Sequence, residues 1–155
     1  MRSTFEEEIN KNGVLVYKNV GVSMLPLIKQ NRDVLIIEKP TRTIKKYDVV
    51  LYKRPNGEYV LHRVIKVKNG QFVMCGDNQN YKEYGITNDN VLWILTSIER
   101  SGKVIKINEG KNKIYAHLIT DFYPVRFIIL RIRNYCSNIL SHVKKKSKII
   151  QTDFL

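Results

Sequence analysis

Three short segments carry residue types able to attack a carbonyl or move a proton. In Gly21-Val22-Ser23-Met24-Leu25-Pro26-Leu27-Ile28 a serine lies in a bend bounded by glycine and proline. Such a bend can expose a hydroxyl, although loop serines more commonly serve as turn or cap residues. In Tyr59-Val60-Leu61-His62-Arg63-Val64-Ile65-Lys66-Val67 the period-two alternation of a strand puts Val60, His62, Val64 and Lys66 on one face. A histidine among valines is, by itself, more often a satisfied core residue than a base. The third segment, Cys75-Gly76-Asp77-Asn78-Gln79-Asn80, follows a strand and reads first as a turn, because Asp and Asn bond their own backbone there. His117 and His142 lie in a helical region without comparable context and receive no role.

The order of these segments says more than any one of them. A serine bend, an Asp-Val-Val strand, a His-Arg-Val strand and a Gly-Asp-Asn turn resemble the type I signal peptidases, in particular the endoplasmic-reticulum-type branch, where histidine replaces the lysine base. Ser23-Met24-Leu25-Pro26 is similar to that family's Ser-Met-x-Pro box and Tyr47-Asp48-Val49-Val50 to its Gly-Asp-x-Val strand. His62-Arg63-Val64 is similar to the base strand and Gly76-Asp77-Asn78 to the acidic box, so the likeness runs from Val20 to Ile98.

The resemblance implies a serine endopeptidase, with Ser23 as nucleophile and His62 as general base. The chemistry suits these types: a hydroxyl attacks once a neighbour takes its proton, and imidazole, with an ordinary pKa near ~6.5, can do so at neutral pH and then protonate the leaving amine. An acid on the other ring nitrogen would fix the tautomer. The resemblance offers Asp77 or Glu83, and the sequence leaves both open. Gly21, Val22, Met24 and Pro26 are implied on the substrate and oxyanion side. Gly21 stands where relatives usually carry a serine whose hydroxyl helps bind the oxyanion, leaving that task to backbone N–H groups including that of Ser23. Leu27 and Tyr47 replace a common threonine and a common glycine. A peptide or precursor with small residues before the cut is the implied substrate, and no metal or organic cofactor is called for. The alternative is a non-catalytic peptide-binding or membrane-surface module on the same fold; a self-cleaving repressor is disfavoured by the short stretch ahead of Ser23.

These residues need a scaffold of strands. Val14 to Tyr17, Asp33 to Glu38, Asp48 to Lys53, Tyr59 to Val67, Gln71 to Cys75, Val91 to Ile98 and Val104 to Ile107 are β-branched or aromatic runs. Pro55-Asn56-Gly57, Asn69-Gly70 and Ser101-Gly102 separate them as hairpin turns, predicting antiparallel neighbours. Thr4 and Glu7 form a capping box for a short helix through about Lys11. From Tyr115 onward the period changes, and Val125, Ile129, Ile132, Cys136, Ile139 and Val143 make one helical stripe, with a helix expected over Pro124 to Val143. The fold expected is mainly β, an antiparallel signal-peptidase or repressor-peptidase-like core over about 14–107. A basic C-terminal amphipathic helix and tail, about 115–155, complete a single domain.

A chain of 155 residues with 43% hydrophobic residues can bury a core of its own. Its +13 charge attracts anionic partners. Arg126, Arg131, Arg133, Lys144, Lys145, Lys146 and Lys148 oppose Asp153 alone over residues 122–155, so that segment can lie on an anionic membrane surface or cover the β core. Nucleic acid is not expected, since no recognition motif or aromatic interleaving accompanies the basic cluster. Cys75 and Cys136 read as free thiols, without metal-ligand spacing. The acidic, polar stretch Met1 to Asn12 is not a secretory signal, and no apolar run is long enough to span a bilayer. The expected location is cytoplasmic or peripheral at the membrane.

Overall fold

A computed structural model describes residues 7, 11–122, 126–128, 130–132 and 135. Among the described residues eight strands form one sheet: β1 Val14–Lys18, β2 Val34–Glu38, β3 Val49–Lys53, β4 Tyr59–Lys68, β5 Gln71–Cys75, β6 Glu83–Ile86, β7 Val91–Arg100 and β8 Lys103–Lys106. Helix α1, Gly110–Asp121, follows. The spatial order is β1-β2-β7-β3-β4-β5-β6, with β8 also on β7. Every pairing is antiparallel.

The turns explain the pairings. Asn69 and Gly70 have φ of 51 and 73°, and Ser101 and Gly102 have 53 and 78°. Two consecutive positive φ values match the right-handed twist of the strands they join, here β4 to β5 and β7 to β8. The seven strands expected from the sequence are present, within a residue or two at their ends. The four-residue β6 was not foreseen. The helical region also begins earlier than Tyr115, since α1 starts at Gly110. Of the helices expected over Thr4 to Lys11 and Pro124 to Val143, only residues 7, 11, 126–128, 130–132 and 135 are described, and they are helical. The remainder of both, with Cys136, His142 and the basic tail, lies outside the described residues.

Alternation along the strands divides the interior into two clusters. Leu15, Leu35, Ile37, Val49, Leu51, Trp93, Leu95 and Ile98 pack with Met24, Leu27 and Ile28 from the serine bend. Val50, Tyr52, Val60, Val64, Phe72, Met74, Ile86 and Ile94 make the second. The serine bend is thus pinned to the sheet by its own apolar residues. Val60, His62 and Val64 are all buried on β4, whereas Lys66 is exposed beyond a register shift between Val64 and Lys66.

Leu95, fully buried on β7, tests this division. Leu95→Ala should lower stability by about 2–5 kcal/mol in denaturant titration, whereas Val104→Ala, on an exposed β8 position, should change it by no more than about 0.5 kcal/mol.

Candidate functional site

The bend carrying Ser23 is closed by short backbone bonds, Leu25 N–H to Val22 O at 3.2 Å and Ile28 N–H to Met24 O at 3.0 Å. Its far end is held by the buried Asp33 carboxylate, which accepts from Lys29 N–H at 2.8 Å and from Arg100 Nε and Nη2 at 2.9 and 2.5 Å. Burial acts to raise the Asp33 pKa, but the guanidinium bonds outweigh it and hold the carboxyl well below the usual range. Arg100 Nη2 also donates to Leu27 O at 2.8 Å. Ser23 is left half-buried.

From the opposite side the Gly76-Asp77-Asn78 turn grips the same bend. Asn78 donates its backbone N–H to Ser23 O at 2.7 Å and its side-chain Nδ2 to Val22 O at 2.9 Å. Gly76 allows this approach, since a Cβ there would lie 2.8 Å from Ser23 O. Asp77 forms a two-pronged ion pair with Arg63 at 2.8 and 2.6 Å, with neither residue exposed. Arg63 Nη1 reaches Tyr47 O at 2.9 Å.

His62, one position before Arg63, faces the other way. Its Nδ1 lies 3.0 Å from the Tyr52 hydroxyl and 3.2 Å from Glu83 Oε1. Arg54 holds Glu83 through Nε and Nη2 at 2.8 and 2.5 Å and Glu58 through Nη1 at 2.6 Å. Burial raises the Glu83 pKa, but the Arg54 and Tyr52 bonds lower it further, so the carboxyl ends below its ordinary range. An ionised carboxylate only accepts. A neutral imidazole that donates from Nδ1 to this carboxylate would keep its lone pair on Nε2. Burial pushes the His62 pKa down to about 4, and Glu83, whose charge favours the imidazolium, is partly offset by Arg54. Burial likewise raises the Tyr52 phenol, which Glu83 reinforces.

Ser23 and His62 line one cleft of about 350 Å³. Leu15, Leu35, Ile37, Leu51 and Leu61 supply apolar walls, while Arg54 and Glu58 supply charge. Gly21 also lines it, and a Cβ there would meet only Asn19 Oδ1, at 4.0 Å. Met24 is buried in the first cluster, and Val22 and Pro26 are exposed. Of the two acids offered by the sequence, Glu83 contacts His62 and Asp77 contacts Arg63. The Peptidase S24-like family matches residues 2–105, a span that contains this entire arrangement.

The chain belongs to the Peptidase S24-like family. It is also 28% identical over 137 residues to Signal peptidase I V of Bacillus subtilis (strain 168), covering 75% of this chain and 81% of that protein. No solved structure matches. In this S24-like peptidase, Tyr47 has a φ of 80°, a conformation free to glycine, which accounts for the expectation of glycine there. Its neighbour Asp48 accepts both terminal nitrogens of Arg42, at 2.7 and 2.8 Å, fixing the entry to β3.

Tyr52 and Arg54 were not found from the sequence. Val50 pairs with His62 across the β3–β4 ladder, so Tyr52, two residues on, shares that face. The alternation of β3 held that signal, but only the register makes it readable. Among the described residues no group of three His, Cys, Asp or Glu could hold a metal ion, and Cys75 is buried and free.

The two acids should respond differently to neutralisation. Asp77→Asn leaves a buried guanidinium without its counter-charge and should cost about 3–5 kcal/mol in denaturant titration. Glu83→Gln, half-buried beside the cleft, should cost no more than about 1–2 kcal/mol. Equal losses would contradict the separation of their environments.

Proposed function

We propose that this peptidase is a serine endopeptidase of the signal peptidase type, cleaving a precursor or leader peptide through an acyl-enzyme on Ser23. The observation that carries this reading is the fixing of His62 Nδ1 by Glu83 and Tyr52, which leaves the Nε2 lone pair for a cleft that Ser23 also lines. Ser23 Oγ attacks the scissile carbonyl as Nε2 takes its proton, and Glu83 stabilises the imidazolium that forms. The developing oxyanion accepts from the Ser23 backbone N–H, because Gly21 brings no hydroxyl. The tetrahedral carbon then collapses, Nε2–H protonates the departing amine, and His62 activates the water that releases the acyl group. Asp77 acts through the turn that braces Ser23. An extended substrate would run along the apolar walls, its backbone bonding beside the cleft as an added strand.

A second reading concerns location. Ile114 and Leu118 on α1 and Phe122 at its C-cap are 63, 51 and 56% exposed at four-residue spacing. Lys111, one turn before Ile114, falls in the same stripe. Farther on, Phe127, Ile128, Ile132 and Tyr135 are exposed beside Arg131. Apolar stripes edged with basic residues suit the surface of an anionic bilayer. No helix among the described residues is long and apolar enough to cross a membrane.

Incubation with a peptide library, read by mass spectrometry, tests the enzyme reading. Ser23→Ala and His62→Ala should each reduce kcat on an accepted peptide by on the order of 1,000-fold, with the double variant little worse than either. Folded wild-type protein that captures peptides without cutting them would favour the binding module. With His62 at about 4, kcat/KM should stay level from neutral pH to about 5 and fall as pH nears 4. The folded protein takes this proton at lower pH than the unfolded chain, so acidification from 6.5 through about 4 should also remove roughly 3 kcal/mol of stability. An acid limb centred near 6.5 would contradict the burial of the base.

Co-sedimentation with phosphatidylglycerol vesicles tests the location. Binding should weaken with added salt and in Leu118→Gln/Phe122→Gln, and remain weak on phosphatidylcholine vesicles. Equal binding by that variant would remove α1 from the contact.

A further inference from the structure

The chain beyond the span matched by the family reaches back to the turn that braces Ser23. Helix α1 lays Tyr115 against Arg63, whose Cζ is 5.8 Å from the ring centroid. The end of α1 is moored by Asp121, which accepts from Lys46 Nζ at 2.5 Å and from the Tyr47 hydroxyl at 3.0 Å. Phe122 N–H bonds Leu118 O at 3.3 Å, and Arg126 N–H bonds Phe122 O at 3.1 Å. Arg126 therefore starts from a fixed point, one helical turn past α1. Its side chain is buried, 2% exposed, and Nη2 donates to the carbonyl oxygen of Gly76, 50 residues earlier in the chain. Leu130, one turn later, is buried as well.

Gly76 is the first residue of the brace. Its carbonyl also accepts from Gln79 N–H at 3.0 Å, closing the turn on which Asp77 pairs with Arg63 and Asn78 holds the carbonyls of Val22 and Ser23. The charge of Arg126 is felt one residue earlier too, at the Cys75 thiol, where burial raises the pKa and the guanidinium opposes the rise. A charge-assisted bond to a buried carbonyl is stronger than a neutral one.

We infer that Arg126 is a positioning residue for the nucleophile, a clamp supplied from outside the family-matched span that holds the Gly76 carbonyl so that Asn78 keeps Ser23 in register with His62. Its catalytic consequence rests on the serine-peptidase reading; the clamp itself does not. Displacement of a reacting group by about 1 Å can cost on the order of 100-fold in rate, so a small slackening of the turn is enough to be measured.

The test uses the full chain with Arg126→Met, which keeps length and apolar bulk but removes the donors, and Arg126→Lys, which restores one charged donor. Hydrogen exchange at the Asn78 amide, whose partner is Ser23 O, should accelerate about 10-fold or more in Arg126→Met, return most of the way in Arg126→Lys, and leave the β3 and β7 ladder amides unchanged. On an accepted peptide, kcat should fall about 10- to 100-fold in Arg126→Met with KM within about threefold of wild type, and Arg126→Lys should recover much of the loss. Unchanged exchange at Asn78 overturns the clamp. Accelerated exchange with unchanged kcat on a peptide that wild type cleaves overturns the positioning role. If Arg126→Met is unfolded, Arg126→Gln, shorter and uncharged, takes its place in the same two measurements, with faster Asn78 exchange and lower kcat expected and wild-type values in both overturning the proposal. Should wild type cleave no peptide, the serine-peptidase reading falls while Asn78 exchange still decides the clamp.

Discussion

The buried ion pair between Arg63 and Asp77 is the constraint around which the site is arranged. Removing two charges from water is costly, and the pair is tolerable because both guanidinium prongs meet the carboxylate while a third nitrogen reaches Tyr47 O. That geometry permits little slack. It fixes the position of β4 relative to the turn after β5, and each partner has a chemically important neighbour. His62 precedes Arg63 and, by the alternation of a strand, points to the opposite side. Asn78 follows Asp77 and grips the carbonyls of Val22 and Ser23. A pair whose bonds run to each other and to Tyr47 O thereby sets the relative position of His62 and Ser23.

Two carboxylates with different surroundings divide the work. Asp77 is neutralised by one buried arginine and has no contact with imidazole among the described bonds. Glu83 is shared by Arg54, Tyr52 and His62, so its negative charge is already largely spoken for. This explains why a histidine beside a carboxylate still has a depressed pKa: burial dominates, and Arg54 offsets part of what Glu83 contributes. The neutral ring is the form a general base requires. On the serine-peptidase reading, Glu83 would orient that ring while burial leaves it reluctant to hold a proton.

Much of this was legible in the residues. Asn69-Gly70 and Ser101-Gly102 announced their hairpins, since few other residue pairs accept two positive φ values, and the alternation around His62 correctly grouped it with Val60 and Val64. The order of Ser23, His62 and the Gly76 turn was enough to point to a peptidase family. The choice between Asp77 and Glu83 was not legible, because Asp77 lies in the turn after β5 while Glu83 opens β6, and it is the pairing of Met74 with Glu83 that brings the second acid beside β4. Strand β6 escaped notice because it is four residues long and contains Gly85 at a positive φ. The first turn of α1 left no signal, because Gly110, Lys111, Asn112 and Lys113 contribute no apolar residue to a stripe and Glu109 makes no side-chain cap bond.

The departure at Tyr47 and the segment beyond the family-matched span are physically connected. A side chain at a φ of 80° costs roughly 1–2 kcal/mol relative to the right-handed region, a cost that glycine would avoid. What tyrosine adds is a ring 4.1 Å from that of His117 and a hydroxyl bonded to Asp121, while Lys46 bonds the same carboxylate and lies over the ring. These contacts moor the end of α1, from which Tyr115 covers Arg63 and Arg126 reaches Gly76. Glycine at position 47 would relax the backbone but release one of the two ties that hold α1 over the ion pair. The strained residue therefore makes sense as part of the C-terminal clamp: local backbone energy is exchanged for a tertiary anchor, and that anchor acts on the turn that positions Ser23.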